Sequence, residues 1–271
     1  MKRSFHCTNY LQEIAVKKNI TSQFKKNGYH IEKKLFSKLD IKKLESEFDK
    51  IIFQLENSGE NINAHWRSDL TKNIDSPKSK IIHTHNVQSY SSIMMKMVQN
   101  KKLLNLAESF IGKDIILHHT KLFLKPPLVG SAFPLHQDWS YFPTKKNTMI
   151  AAVVHISDSK QNMGCIKLIP GSHKLGKVKN SDGHSYIKKL HKKYSLESAT
   201  AIEANHGDVL FFHSCTVHGS MNNESNKPRK TILIQLYSGK DKVLKDNNHT
   251  NVQIVLRGWN YNATRTTAEN L

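Results

Sequence analysis

The sequence predicts a mainly β protein with flanking helices, built as a β-barrel or jelly roll, and three observations predict it. Apolar residues in the first 110 or so positions recur with a helical period. From position 115 they fall into short runs separated by Gly, Pro and Asn. Helices and strands do not alternate along the chain. Helices first and then many short strands favours a jelly roll with packed helices over an alternating α/β sheet. The expected layout is a single domain over residues 1–271. A mostly helical part at 1–112 packs on a jelly-roll core at 113–240, and 241–271 form a C-terminal extension.

Residues 1–60 read as helical with one extended break, where Gly28 stops a helix ahead of the strand-like Tyr29-His30-Ile31. After Ser37-Lys38-Leu39-Asp40, the residues Ile41, Leu44, Phe48, Ile51, Ile52 and Leu55 mark one stripe of an amphipathic helix. A further helical stretch runs from Ser91 to about Phe110, carries Ile93, Met97, Leu103, Leu104, Leu106 and Ala107, and ends at Ile111-Gly112. Met94, Met95 and Met97 read as core packing. Strands are expected at Ile115–Leu124, through Leu135–Asp138, and at Met149–Ile156, Cys165–Ile169, Val209–His213 and Thr231–Tyr237. Pro126-Pro127, Pro143, Pro170-Gly171-Ser172 and His206-Gly207-Asp208 punctuate them. The polar, lysine-rich stretch 174–200 reads as an irregular excursion between strands.

The net charge of +19 raises the question of nucleic acid. The lysines, however, come as scattered doublets such as Lys17-Lys18, Lys25-Lys26, Lys42-Lys43 and Lys188-Lys189. No long basic run is interleaved with aromatics, so a solvated basic surface is the better reading. Part of that charge suits an anionic small substrate or an acidic carrier protein. Apolar runs are too short to span a bilayer. Met1-Lys2-Arg3-Ser4-Phe5-His6 is not followed by an apolar stretch, and Ala268-Glu269-Asn270-Leu271 is no retention or peroxisomal address. Three widely spaced cysteines, Cys7, Cys165 and Cys215, fit reduced thiols. The expectation is a cytoplasmic protein, monomeric or homodimeric.

The chemistry starts at His136-Gln137-Asp138. On a strand, residues two apart share a face, so an imidazole and a carboxylate stand together. They are two thirds of a facial triad, the set that holds non-haem Fe(II) while leaving positions open. A third candidate follows a turn and an apolar strand, Gly207 to His213, and then Ser214-Cys215-Thr216-Val217-His218-Gly219-Ser220. His218 is that candidate, because Gly219 and Ser220 let the backbone pass close to a metal and its ligands; His213 is its rival. Arg229 opens the next strand and shares a face with Thr231, Leu233, Gln235 and Tyr237. A guanidinium there can grip a carboxylate with two parallel hydrogen bonds. Trp139 and Tyr141, just beyond His136 and Asp138, are candidate substrate contacts.

Together these pieces resemble the phytanoyl-CoA dioxygenase family of Fe(II)/2-oxoglutarate-dependent oxygenases. The resemblance rests on Phe24 with Gly28-Tyr29, Lys125-Pro126-Pro127, and Pro134-Leu135-His136-Gln137-Asp138 with Tyr141-Phe142-Pro143. It continues through Met163-Gly164-Cys165, Pro170-Gly171-Ser172-His173, Gly207-Asp208 and Phe211-Phe212-His213, and ends at His218-Gly219-Ser220 with Arg229. It implies a double-stranded β-helix (a jelly-roll, cupin-like core) with iron on His136, Asp138 and His218, not His213. It also implies 2-oxoglutarate held by Arg229, with Lys121 and Asn86 at positions of further co-substrate contacts and Val153 where some relatives carry a tryptophan. The implied activity consumes O2 and 2-oxoglutarate and hydroxylates an unactivated C–H, with release of succinate and CO2. The small-molecule substrate is expected to be anionic, such as a CoA or carrier-protein thioester or a phosphorylated compound. Natural products or amino acids (hydroxylated, desaturated or cyclised) are the alternative, as is a non-catalytic binding member of the family. Asp138 occupies the position that chlorinating relatives free for halide, so oxygen transfer is implied. Substrate choice is expected in 174–200, Trp139, Tyr141 and the tail Arg257-Gly258-Trp259-Asn260-Tyr261.

Overall fold

A computed structural model describes residues 2–63, 78, 80–178, 192–244 and 250–269. Helix α1 (Lys2–Asn27) ends at Gly28, whose φ of +77° lets the chain reverse into strand β1 (Tyr29–Glu32). Helix α2 (Lys38–Glu56) begins on a reciprocal cap. The Ser37 hydroxyl accepts from Asp40 N at 3.1 Å, and the Asp40 carboxylate accepts from Ser37 N at 3.1 Å. The stripe expected from the sequence, Ile41 to Leu55, is the buried face of α2.

The helical stretch expected from Ser91 to Phe110 is two helices, α3 (Ser92–Val98) and α4 (Lys101–Ile111). The break has a local cause: the Asn100 side chain accepts from Lys102 N and Leu103 N, and so starts a new helix.

Among the described residues ten more strands follow β1. They are β2 (Ile82–His85), β3 (Ile115–Lys125), β4 (Phe133–His136), β5 (Ile150–His155), β6 (Ile166–Leu168), β7 (Thr200–Ile202), β8 (Val209–His213), β9 (His218–Ser220), β10 (Arg229–Ser238) and β11 (Ile254–Arg257). A larger sheet runs β1-β8-β5-β10-β3-β11, with β2 also on β3; a smaller one runs β4-β9-β6-β7. Strands β2, β7, β9 and β11 have only three or four residues each, too few for a period to show in the sequence. The larger sheet draws β1 and β2 from before residue 113 and β11 from after residue 240.

The larger sheet is buried on both faces, and strict alternation divides its residues. Ile150, Ala152 and Val154 of β5, with Ile232, Ile234 and Leu236 of β10, pack against Leu44, Phe48, Met94 and Leu103 of the helices. Ala151, Val153 and Leu233 turn inward and pack with Leu168, Ile166 and Ile202 of the smaller sheet. The two sheets thus face each other as in a double-stranded β-helix. One bulge matters. The β10–β3 register steps from Gln235 opposite His119 to Leu236 opposite Leu117, so His118 is the extra residue.

Of the excursion at 174–200, residues 179–191 lie outside the described residues. Leu196 and Ala199 of its remainder pack on Leu135 and Val217. Among the described residues no helix is long and apolar enough to cross a membrane.

Candidate active site

Strands β4 and β9 pair with His136 opposite His218, and their rings lie 4.3 Å apart between centroids. Two histidines far apart in sequence become immediate neighbours through this one register. The strand expected through Asp138 stops at His136. Gln137 stays extended (φ −115°, ψ 132°), and Asp138 opens a 3₁₀ turn in which Tyr141 N bonds Asp138 O at 3.0 Å. The extended Gln137 is enough to leave His136 and Asp138 side by side. Gln137 itself is buried and turned away. Its amide donates to the carbonyls of Gly176 (2.9 Å) and Cys215 (2.7 Å) and accepts from Val178 N (3.0 Å), which fixes the turn from behind.

Each histidine lies within hydrogen-bonding distance of the carbonyl two residues before it. His136 Nδ1 is 2.8 Å from Pro134 O, and His218 Nδ1 is 2.9 Å from Thr216 O. A carbonyl only accepts, so Nδ1 carries the proton in both rings and each Nε2 presents a lone pair. Both Nε2 atoms stand 3.6 Å from Asp138 Oδ1. The other carboxylate oxygen, Oδ2, accepts from Gln235 Nε2 at 2.6 Å. Burial pulls the His218 pKa down to about 4, with His136 adding to the effect, so the ring is neutral at ordinary pH. Burial pushes the Asp138 carboxyl up, but the two histidines beside it and the hydrogen bond from Gln235 outweigh it and hold the group below its ordinary value. Three possible ligand atoms thus converge within 4.8 Å of one another. Two imidazole nitrogens and a carboxylate oxygen are the donor set for a divalent iron.

A cavity of about 100 Å³ opens between the sheets beside this triad. Phe123, Phe133, Tyr141, Phe142, Phe212 and Leu233 give it an apolar lining. Lys121 and Arg229 bring cations into it. Arg229 is buried; burial lowers its pKa to about 10, which leaves it charged at neutral pH, and its Nη1 donates to Gly164 O. Its partner across the β10–β3 pair is Lys125, also buried, whose ammonium bonds Ser220 Oγ at 2.7 Å and Met221 O. Ser220 lies two residues along β9 from His218, about 6.6 Å at a strand's rise. Lys121 lies 4.9 Å from the centre of the Phe123 ring, and burial lowers its pKa to about 8.

The structure therefore brings His136, Asp138, His218, Arg229, Lys121, Tyr141 and Val153 around one space. Two expected contacts do not line it. Asn86 takes a left-handed turn conformation (φ 54°) after β2, where its N–H bonds Thr120 O at 2.8 Å. Trp139 lies beneath Lys177, whose Nζ is 5.2 Å from the ring centre, and its backbone N–H bonds Ser214 O at 3.0 Å. The tail also faces elsewhere: Arg257 bonds Glu108 and Asn105 of α4, and Trp259 and Tyr261 are exposed. His213 is a packing residue, with Nε2 2.8 Å from Asn147 O and Nδ1 accepting from Cys215 N. His83, His85, His118 and His119, scattered by sequence, form a row of rings because β2 pairs with β3; His83 and His85 lie 5.4 Å apart and His85 and His119 5.9 Å.

Gly219 serves a different purpose from the one its neighbourhood suggested. A Cβ there would lie 2.6 Å from Phe133 O, so glycine is required for β9 to close on β4 rather than for clearance at a metal. Sequence reasoning gave no side-chain role to Gln235, Lys125 or Ser220 and none to the Gly164 carbonyl. Gln235 shares the inward face of Arg229 and was findable on that ground; the other three act through contacts between distant strands.

The profile of the phytanoyl-CoA dioxygenase family matches residues 24–231. The chain belongs to this family. Peroxisomal phytanoyl-CoA dioxygenase of Bos taurus is 29% identical over 220 residues, 77% of this chain and 65% of that protein, so the chain spans just under two thirds of that relative's length. A probable alpha-ketoglutarate-dependent hypophosphite dioxygenase of Stutzerimonas stutzeri is 28% identical over 157 residues, 55% of this chain and 54% of that one. Among solved structures, the epimerase SnoN in complex with Fe3+, alpha ketoglutarate and nogalamycin RO superposes with a TM-score of 0.72 at 16% identity, covering 90% of this chain and 99% of that chain. At that identity the likeness shows the shared fold.

Proposed function

We propose that this chain is an Fe(II)/2-oxoglutarate-dependent dioxygenase that hydroxylates an unactivated C–H of a small anionic substrate, such as an acyl-CoA, a carrier-bound acyl group or a phosphorylated compound. The observation that carries the proposal is the meeting of His136, Asp138 and His218 with the buried Arg229 on one cavity. Iron, bound with 2-oxoglutarate and O2, supplies the oxidising power that converts C–H to C–OH while the co-substrate leaves as succinate and CO2.

The protein's own residues do the rest. His136 and His218 turn their Nε2 atoms to the metal because backbone carbonyls hold their Nδ1 atoms. Asp138 offers one oxygen because Gln235 holds the other. Arg229 takes the distal carboxylate of 2-oxoglutarate, with Lys125 and Ser220 beside it. The aromatic lining excludes water and favours an apolar body next to the metal, while Lys121 and the overall charge of +19 favour an anionic group on the substrate. Relatives of this chain include a probable alpha-ketoglutarate-dependent hypophosphite dioxygenase and an ectoine dioxygenase, and the same chemistry on a natural product or amino acid is the second reading.

The test is succinate release from 2-oxoglutarate by the full chain with Fe(II) under air, across a panel of acyl-CoA esters, phosphate esters and amino acids. Stimulated release in wild type and none in Asp138→Ala supports the reading. Absence of 2-oxoglutarate turnover with every compound and without any would overturn it.

A further inference from the structure

Strands β10 and β5 pair with Thr231 opposite His155. Arg229 stands two residues before Thr231 on the same inward face and is therefore the diagonal neighbour of His155, a spacing of about 7–8 Å that a long side chain crosses. Both side chains are buried, His155 completely. His155 Nδ1 is 3.2 Å from Asp208 O and carries the ring proton, so Nε2 is a bare acceptor. Burial, with the Arg229 charge adding to it, holds the His155 pKa down to about 4. His155 Nε2 and Arg229 Nε are each buried without a hydrogen-bond partner. One is an acceptor and the other a donor, on adjacent strands in the same interior, and each is costly to leave unpaired.

We propose that His155 is a positioning residue for the co-substrate: in the 2-oxoglutarate complex its Nε2 accepts the Arg229 Nε–H, so that the guanidinium meets the carboxylate only through its two terminal nitrogens. The inference rests on the function proposed above, in which Arg229 binds 2-oxoglutarate. A guanidinium has five N–H groups. Gly164 O takes one from Nη1 and His155 takes the one on Nε. Three remain, enough for the two-bond fork through Nη1 and Nη2. Without His155 the Nε–H competes for the carboxylate and opens a second, side-on fork, which tilts the dicarboxylate away from the triad.

The experiment is a double-mutant cycle read as 2-oxoglutarate Kd by calorimetry, on the full chain loaded with Mn(II), which binds without turnover. His155→Leu is expected to raise Kd about tenfold or more with Mn(II) affinity unchanged. His155→Gln, whose carbonyl still accepts, recovers most of that loss. Arg229→Lys has no Nε–H, so adding His155→Leu to it raises Kd less than about twofold. A wild-type Kd in His155→Leu overturns the inference, as does an equal tenfold loss in the Arg229→Lys background, which would mark a merely structural role. If His155→Leu does not fold, His155→Met against His155→Gln in the same cycle decides. A wild type that binds no 2-oxoglutarate overturns the functional reading, and this inference with it.

Discussion

Gln235→Leu is the substitution that tests the metal centre most sharply, because Gln235 is not itself expected to touch the metal. Its amide donates to Asp138 Oδ2 at 2.6 Å with both groups buried, and it lies opposite His119 on the inward face. A hydrogen bond to a charged group is worth about 1.5–3 kcal/mol. At about 1.4 kcal/mol per decade, its loss weakens the metal by about 10- to 100-fold, the range expected when a partner of a metal ligand is removed. Leucine has a similar volume, so the packing between the sheets survives. The assay is Mn(II) binding by electron paramagnetic resonance, with a thermal melt to confirm folding. A metal Kd within threefold of wild type in a normally folded Gln235→Leu protein would refute the claim that this amide orients the ligand.

Asp138→Ala is expected to abolish turnover while the apo protein melts normally. Mn(II) at a hundred times its Kd stabilises wild type by about 2.7 kcal/mol, and that gain should vanish from the variant's melt. Arg229→Lys keeps the charge but loses the fork, so the KM for 2-oxoglutarate should rise about tenfold or more in steady-state kinetics with the substrate KM little changed. Gly219→Ala places a methyl against Phe133 O and should cost about 1–3 kcal/mol in denaturant unfolding, with weakened metal binding because the strand carrying His218 shifts. Asp241 accepts from the backbone of Lys146, Thr148 and Lys242; burial raises its pKa, but those bonds hold it below 3.8. Its folded pKa is depressed, so its contribution is present above 3.8 and is lost as pH falls through the folded value. Asp241→Asn should therefore be less stable than wild type near neutrality, and the two melting curves should converge in acid.

The helical stripe of α2, the long strands β3, β5 and β10, and the pairing of His136 with Asp138 follow from short-range pattern, since neighbours along the chain decide which way each side chain points. The choice of His218 over His213 and the co-substrate role of Arg229 came instead with the family resemblance. The break between α3 and α4 was also local, but it depends on one side chain of Asn100 capping a helix inside an otherwise continuous stripe. Asn86, carried over by resemblance, and Trp139, read from its place beside the ligands, do not line the cavity: a left-handed turn holds Asn86, and Trp139 lies beneath Lys177.

By itself the sequence determined a jelly-roll core and the identity of an iron-type donor set. Tertiary structure alone decided that His136 lies directly across from His218, that Gln235 rather than solvent holds Asp138, that Lys125 stands beside Arg229, and that His155 stands diagonal to that arginine on the next strand. The physical reason is register. Which residues oppose each other across a sheet is set by strand pairing and by the bulge at His118, and neither leaves a mark in the local order of residues.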